Sequence, residues 1–109
     1  MIQITLTTMQ HDLFVNPGRQ DRAGFPLVVT LQANVVESGA DVVAPLTLLT
    51  RDAPKIRLMP IVEHDGKRYL VVFTLMTSLP GHLLRRPVGS IAAWRDDLTR
   101  ALHWLFLGI

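Results

Sequence analysis

The stretch from Ile91 to the end sets the tightest limit on this chain. Ile91, Trp94, Leu98, Ala101, Leu102, Leu105 and Ile109 recur at helical spacing, so the protein ends in a long amphipathic helix that must lie on an apolar surface. Ser90 is placed to cap its start, and Gly108 to stop it near Leu107. Two large side chains leave the stripe. Leu107 falls roughly 180° from its centre, beside Asp96, Arg100 and His103, and Trp104 also sits to one side. A helix that ends a soluble domain usually closes with polar residues, yet Ala101–Ile109 stays apolar almost throughout. Such a patch marks a contact with a second subunit or with a target macromolecule, and periodicity does not separate the two.

A chain of 109 residues fits one domain, read here as 1–109, and is long enough to bury a core. With 49% hydrophobic and 18% charged residues it is a globule, not a disordered segment. It has no cysteine, so neither disulfides nor thiolate metal sites arise. The longest apolar runs, such as Tyr69–Phe73, are too short to span a bilayer. The opening Met1–Leu6 lacks the basic region of a signal peptide, which points to the cytoplasm. The net charge is only +2, with the basic residues spread out apart from Lys67-Arg68 and Arg85-Arg86. A nucleic-acid binder usually shows a denser basic stripe with aromatic residues interleaved.

Strand patterns fill the rest. Ile2, Ile4 and Leu6 alternate with polar residues as in a half-buried strand, and Gln10–Gly24 reads as a long loop rich in Asn, Pro and Gly. Pro26–Gln32 and Val42–Leu46 are strands around a turn at Glu37–Asp41. Leu58–Glu63 and Arg68–Thr74 flank His64-Asp65-Gly66-Lys67, a strong hairpin signal because both Asp and Gly tolerate positive φ. Pro45 and Pro60 within strand patterns suggest edges or bulges. The order is antiparallel strands and then one helix, a mainly β, α+β architecture in which a curved sheet or partial barrel is covered on one side.

The catalytic inventory is empty. His11, His64, His82 and His103 lack metal-ligand spacing and read as surface or turn residues. No nucleophile elbow, phosphate loop or zinc-protease motif is present. His64 beside Asp65 resembles an acid–base pair, but the turn explains the aspartate without catalysis. The expectation is a non-enzyme without metal or cofactor.

Several segments, in order, resemble the CcdB toxins of toxin–antitoxin pairs. Phe25-Pro-Leu-Val-Val-Thr-Leu-Gln-Ala-Asn-Val-Val36 is similar to the family's Tyr-Pro-x-x-Val-Asp-Val-Gln-Ser-Asp-Leu-Leu. Val42-Val-Ala-Pro-Leu46, Leu58-Met-Pro-Ile-Val62 and Met76-Thr-Ser-Leu-Pro80 resemble further short signatures. Phe106-Leu107-Gly108-Ile109 stands where the family ends in an apolar or aromatic pair followed by Gly-Ile.

The resemblance implies an SH3-like barrel of the CcdB–MazF type, with a small extra sheet and a C-terminal helix, forming a homodimer. It implies binding to the A subunit of DNA gyrase and trapping of the gyrase–DNA cleavage complex. It also implies neutralisation by a CcdA-type antitoxin, and repression of the shared operon with operator DNA contacted through the antitoxin complex. The family's terminal Trp-Gly-Ile, which carries poisoning, corresponds to Leu107, Gly108 and Ile109, with Trp104 one turn earlier as a substitute ring. Leucine in place of tryptophan is a departure, as are Thr30 and Asn34 where the family often has aspartates.

Two other functions compete. MazF and Kid toxins of the same fold are endoribonucleases, for which Arg19, Arg22, His64 and Arg68 are the available candidates. An inactive relic acting only in operon repression is the other.

Overall fold

The computed structural model describes residues 9–33, 39–51 and 59–108. Strands β1 (Asp12–Val15), β2 (Leu27–Thr30), β3 (Ala40–Leu48), β4 (Ile61–His64), β5 (Lys67–Val71), β6 (Thr77–Pro80) and β7 (Gly89–Ser90) form one antiparallel sheet. Short 3₁₀ turns at Phe73–Leu75, Gly81–Leu83 and Ala92–Trp94 connect the later elements, and helix α1 (Arg95–Leu107) closes the order. Strands run β4-β5-β3-β2-β1-β7, with β6 added on β3, so the sheet is mainly antiparallel and nearly closed into a barrel.

Strand β3 is the branch point. One side pairs with β2 over Val43–Leu46; the other pairs with β6 over Ala40–Val43 and then with β5 over Leu46–Leu48. Pro45 therefore lies inside a central strand, not at the edge or bulge its sequence suggests. Backbone groups of Gly39, Pro45 and Leu49 point toward β6 and β5, since Gly81 donates to Gly39, Val72 to Pro45, and Leu49 to Arg68. Pro45 has no N–H to return the bond that Val72 donates to its carbonyl, and the Val72 carbonyl accepts from Leu75 instead at 3.1 Å. Pro60 precedes edge strand β4, as expected, and its carbonyl accepts from Val71 at 3.0 Å.

Two apolar layers flank the sheet. Leu13, Val29, Leu46, Val71 and Phe73 pack beneath Ile91, Leu98 and Ala101 on one face. Phe14, Val28, Val43 and Leu84 form a smaller cluster. Adjacent residues of β1 and β2 thus enter different clusters, and all four residues of β2 are buried. This corrects the reading of Gln10–Gly24 as continuous loop. Strand β1 sits inside it, hidden because a strand buried on both sides has no polar alternation. The expected opening strand at Ile2–Leu6 lies outside the described residues.

The Asp-Gly turn forms as the sequence predicts. His64 pairs with Lys67 across it, with φ of 51° at Asp65 and 75° at Gly66. Positive φ at both positions is the geometry that matches strand twist in a two-residue hairpin. The strand expected at Arg68–Thr74 ends at Val71, and Phe73 turns into the core through a 3₁₀ turn. Strands β6 and β7 are additions to the sequence reading; both are short and contain no fully buried residue.

Candidate functional site: the end of the C-terminal helix

The helix begins one turn later than expected. Ser90 Oγ accepts the Ala92 N–H at 3.2 Å at the entry to the 3₁₀ turn whose N-cap position is held by Ile91; that turn precedes α1, so Ser90 does not cap α1. Asp96 and Asp97 occupy the first turn of α1, where a negative charge opposes the helix dipole. Asp97 also pairs with Arg100 at 3.2 Å, but both side chains are exposed and the pair adds little.

The stripe is where the sequence places it. Leu98 and Ala101 are buried against the sheet, and Trp94, Leu102 and Leu105 pack at the margin of the same core. Leu98 is fully buried, and its truncation to alanine would cost about 2–5 kcal/mol. This anchoring fixes the direction in which the rest of the helix points.

Off the stripe, Leu107 is 62% exposed and Trp104 is 37% exposed. Phe106 is 67% exposed, more than either, although the helical spacing did not single it out. Gly108 leaves the helix with φ 70° and ψ 20°, while its N–H still bonds the Trp104 carbonyl at 3.1 Å. That left-handed conformation is costly for any residue with a Cβ. Trp104, Leu107 and Gly108 are thus brought to one helix end, joined by Phe106; Ile109 lies outside the described residues.

Other sequence candidates are dispersed. Arg22 Nε donates to the Asn16 carbonyl at 2.9 Å, so it braces the β1–β2 loop. The His64 ring lies against the backbone of Gly89. Arg68 lines a groove of about 470 Å³ that contains none of Arg19, Arg22 or His64. A second cavity of about 320 Å³, bordered by Phe25, Val28 and Leu79, holds Asp21 and no basic or histidine side chain. Among the described residues, no three His, Asp or Glu side chains are placed to hold a metal ion.

His11, expected to be a surface or turn residue, does lie in a turn, with φ 69°, but it is not at the surface: it is only 3% exposed. Its N–H donates to Thr30 at 2.7 Å and its carbonyl accepts from Ile91 at 2.9 Å, which ties the sheet to the approach of the helix. Among the described residues, Nδ1 has no hydrogen-bond partner. Burial, reinforced by the nearby positive Arg95, lowers the imidazole pKa below its usual value. Thr30, one of the departures noted above, is 1% exposed and donates to the Met9 carbonyl at 2.8 Å. Its role is in the fold, not at a surface.

The described residues thus form a nearly closed antiparallel sheet with one terminal helix whose end is apolar and exposed. The chain belongs to the CcdB family: the family model described as CcdB protein matches residues 10–108. The match begins just before β1, after the segment read from sequence as the first strand. No curated protein matches the chain. Family membership makes it the toxin of a toxin–antitoxin pair. Among the described residues, no helix is long and apolar enough to cross a membrane.

Proposed function

We propose that this protein poisons DNA gyrase by docking the end of α1 on the gyrase A subunit and holding the enzyme in its DNA-cleaved state. The observation that carries the reading is the exposure of Phe106 and Leu107 at the end of a helix whose other face is anchored in the core. Trp104 borders the same surface and Gly108 turns the backbone out of the helix; Ile109, outside the described residues, belongs to the contact in this reading.

No acid–base chemistry is needed. A protein that binds the opened, cleaved state more tightly than the closed one shifts the equilibrium by its differential affinity. Moving that equilibrium from 1:99 to 99:1 takes about 5.5 kcal/mol. Burying a leucine or phenylalanine gives about 1.5–3 kcal/mol, so this pair from each subunit of a homodimer supplies energy of that order. In this reading the toxin works in the cytoplasm, a CcdA-type antitoxin covers the helix ends, and the two together reach operator DNA through the antitoxin.

The endoribonuclease alternative draws no support from the geometry of the described residues, where Arg22 braces the β1–β2 loop and the groove that Arg68 lines includes none of Arg19, Arg22 and His64. The relic reading predicts a folded protein without toxicity. Induced expression separates it: the full-length chain arrests growth, deletion of Ile109 relieves the arrest, and co-expressed antitoxin restores growth. Normal growth with full-length protein accumulating in soluble form overturns the proposal.

A further inference from the structure

We propose that the cavity between the β1–β2 loop and the sheet face opposite α1 binds a small organic cation, an apolar body that carries an ammonium group. This inference is independent of gyrase poisoning and needs only the fold described above.

The floor of the cavity follows from strand register. Val28 stands opposite Pro45 across β2 and β3, and Val43 stands opposite Thr77 across β3 and β6. Alternate residues of a strand share a face, so Leu79 joins them two positions beyond Thr77. Val28 and Val43 belong to the cluster of Phe14 and Leu84, whereas their neighbours Val29 and Ala44 belong to the one on which Leu98 and Ala101 pack. The floor is therefore the sheet face turned away from α1. A cavity of about 320 Å³ stands over Val28, Val43 and Leu79. That volume lies at the small end of the range for ligand sites, which are mostly apolar with a few placed polar groups.

The facing wall is the loop from Asn16 to Phe25, held in shape by its own hydrogen bonds. Asn16 Nδ2 donates to the Phe25 carbonyl at 2.9 Å, the Gly18 N–H to Asn16 Oδ1 at 2.9 Å, and the Phe25 N–H to the Asp21 carbonyl at 2.8 Å. A wall fixed in advance loses little freedom when a ligand enters. Charge then selects the ligand. Asp21 is the one charged residue on the lining, and its carboxylate forms no ion pair among the described residues. Neither arginine of the loop lines the cavity, and Arg22 Nε is bonded to the Asn16 carbonyl. An ammonium group would make a charge-assisted hydrogen bond to Asp21. An alkyl or aromatic body would lie on Val28, Val43 and Leu79 with the Phe25 ring beside it. An anionic ligand of the same shape would meet repulsion at the same carboxylate.

The test titrates the full ¹⁵N-labelled chain with phenethylamine, and in parallel with neutral phenethyl alcohol and anionic phenylacetate. Saturable amide shifts should concentrate at Gly18, Asp21, Phe25, Val28, Val43 and Leu79, with phenethylamine the tightest of the three and its affinity falling as salt rises. Asp21→Asn should weaken phenethylamine on the order of tenfold, the worth of a hydrogen bond to a charged group, and leave phenethyl alcohol unaffected. The loop bonds of Asp21 given above run through its backbone, so this variant keeps them. Thr77→Trp, at an exposed position of β6 on the lining, should fill the cavity and abolish binding of all three. Both variants are checked for native circular dichroism. The proposal is overturned if phenylacetate binds as tightly as phenethylamine, if either variant, natively folded, binds phenethylamine like the parent, or if the shifts map elsewhere. Absence of saturable shifts up to the solubility limit of phenethylamine also overturns it.

Discussion

The imidazole of His64, at the end of β4, lies against the backbone of Gly89 in β7, so that a Cβ built on Gly89 would stand 2.6 Å from Cε1 and 2.7 Å from Nδ1. These two strands are the opposite ends of the strand order, and the contact brings the sheet close to a barrel. A Cβ there would require the His64 ring to move aside, whereas φ makes no demand for glycine. Gly89→Ala should push the ring aside and cost about 1–3 kcal/mol in urea unfolding. The cost should largely vanish in a His64→Ala background, since the clash has one source. Equal costs in both backgrounds would contradict the contact.

His11 makes stability depend on pH. Its pKa in the folded protein is lowered, so the unfolded chain binds the proton more readily. The stabilising contribution of the neutral ring is complete above the usual 6.5 and is lost as pH falls from there through the lowered folded value. Urea midpoints between about pH 8 and pH 5 should decline, and His11→Gln should flatten that part of the profile. An unchanged slope in the variant would remove His11 as the cause.

Leu107→Glu should leave folding stability within about 0.5 kcal/mol of the parent, because the side chain is exposed and outside the core. The same change should abolish growth arrest. Leu107→Trp should strengthen toxicity, as the larger ring adds about 1–3 kcal/mol at a contact of this kind. Comparing growth on induction with thermal unfolding separates a contact surface from a folding element.

Gly108→Ala tests the helix exit. No neighbouring atom would meet a Cβ there, so the expected penalty comes from φ 70° alone. It should amount to about 1–2 kcal/mol, taken locally as a rearranged or frayed helix end. Toxicity should fall while the unfolding midpoint of the sheet stays near that of the parent.

How much of this was legible follows from the kind of signal each element leaves. The α1 stripe and the Asp65-Gly66 turn were readable because each depends on local chemistry: apolar spacing in one, tolerance of positive φ in the other. Strand β1 was not, since Leu13 and Phe14 enter two different clusters and leave no alternation. Strands β6 and β7 are held by backbone pairing of exposed or half-buried residues, which composition does not record. Burial of His11 arises from contacts with Thr30 and Ile91, distant in sequence. At the helix end, the wheel found Leu107 and Trp104 but gave Phe106 no place, and its exposure depends on how far the sheet extends beneath the helix.

The most direct measurement adds purified protein to gyrase from its own host with supercoiled plasmid, followed by denaturation and electrophoresis. The account requires linear DNA, with protein covalently attached to its ends, to accumulate with the parent chain and not with Leu107→Glu. Absence of cleaved DNA with folded parent protein, or equal cleavage by the variant, would contradict the role assigned to the helix end.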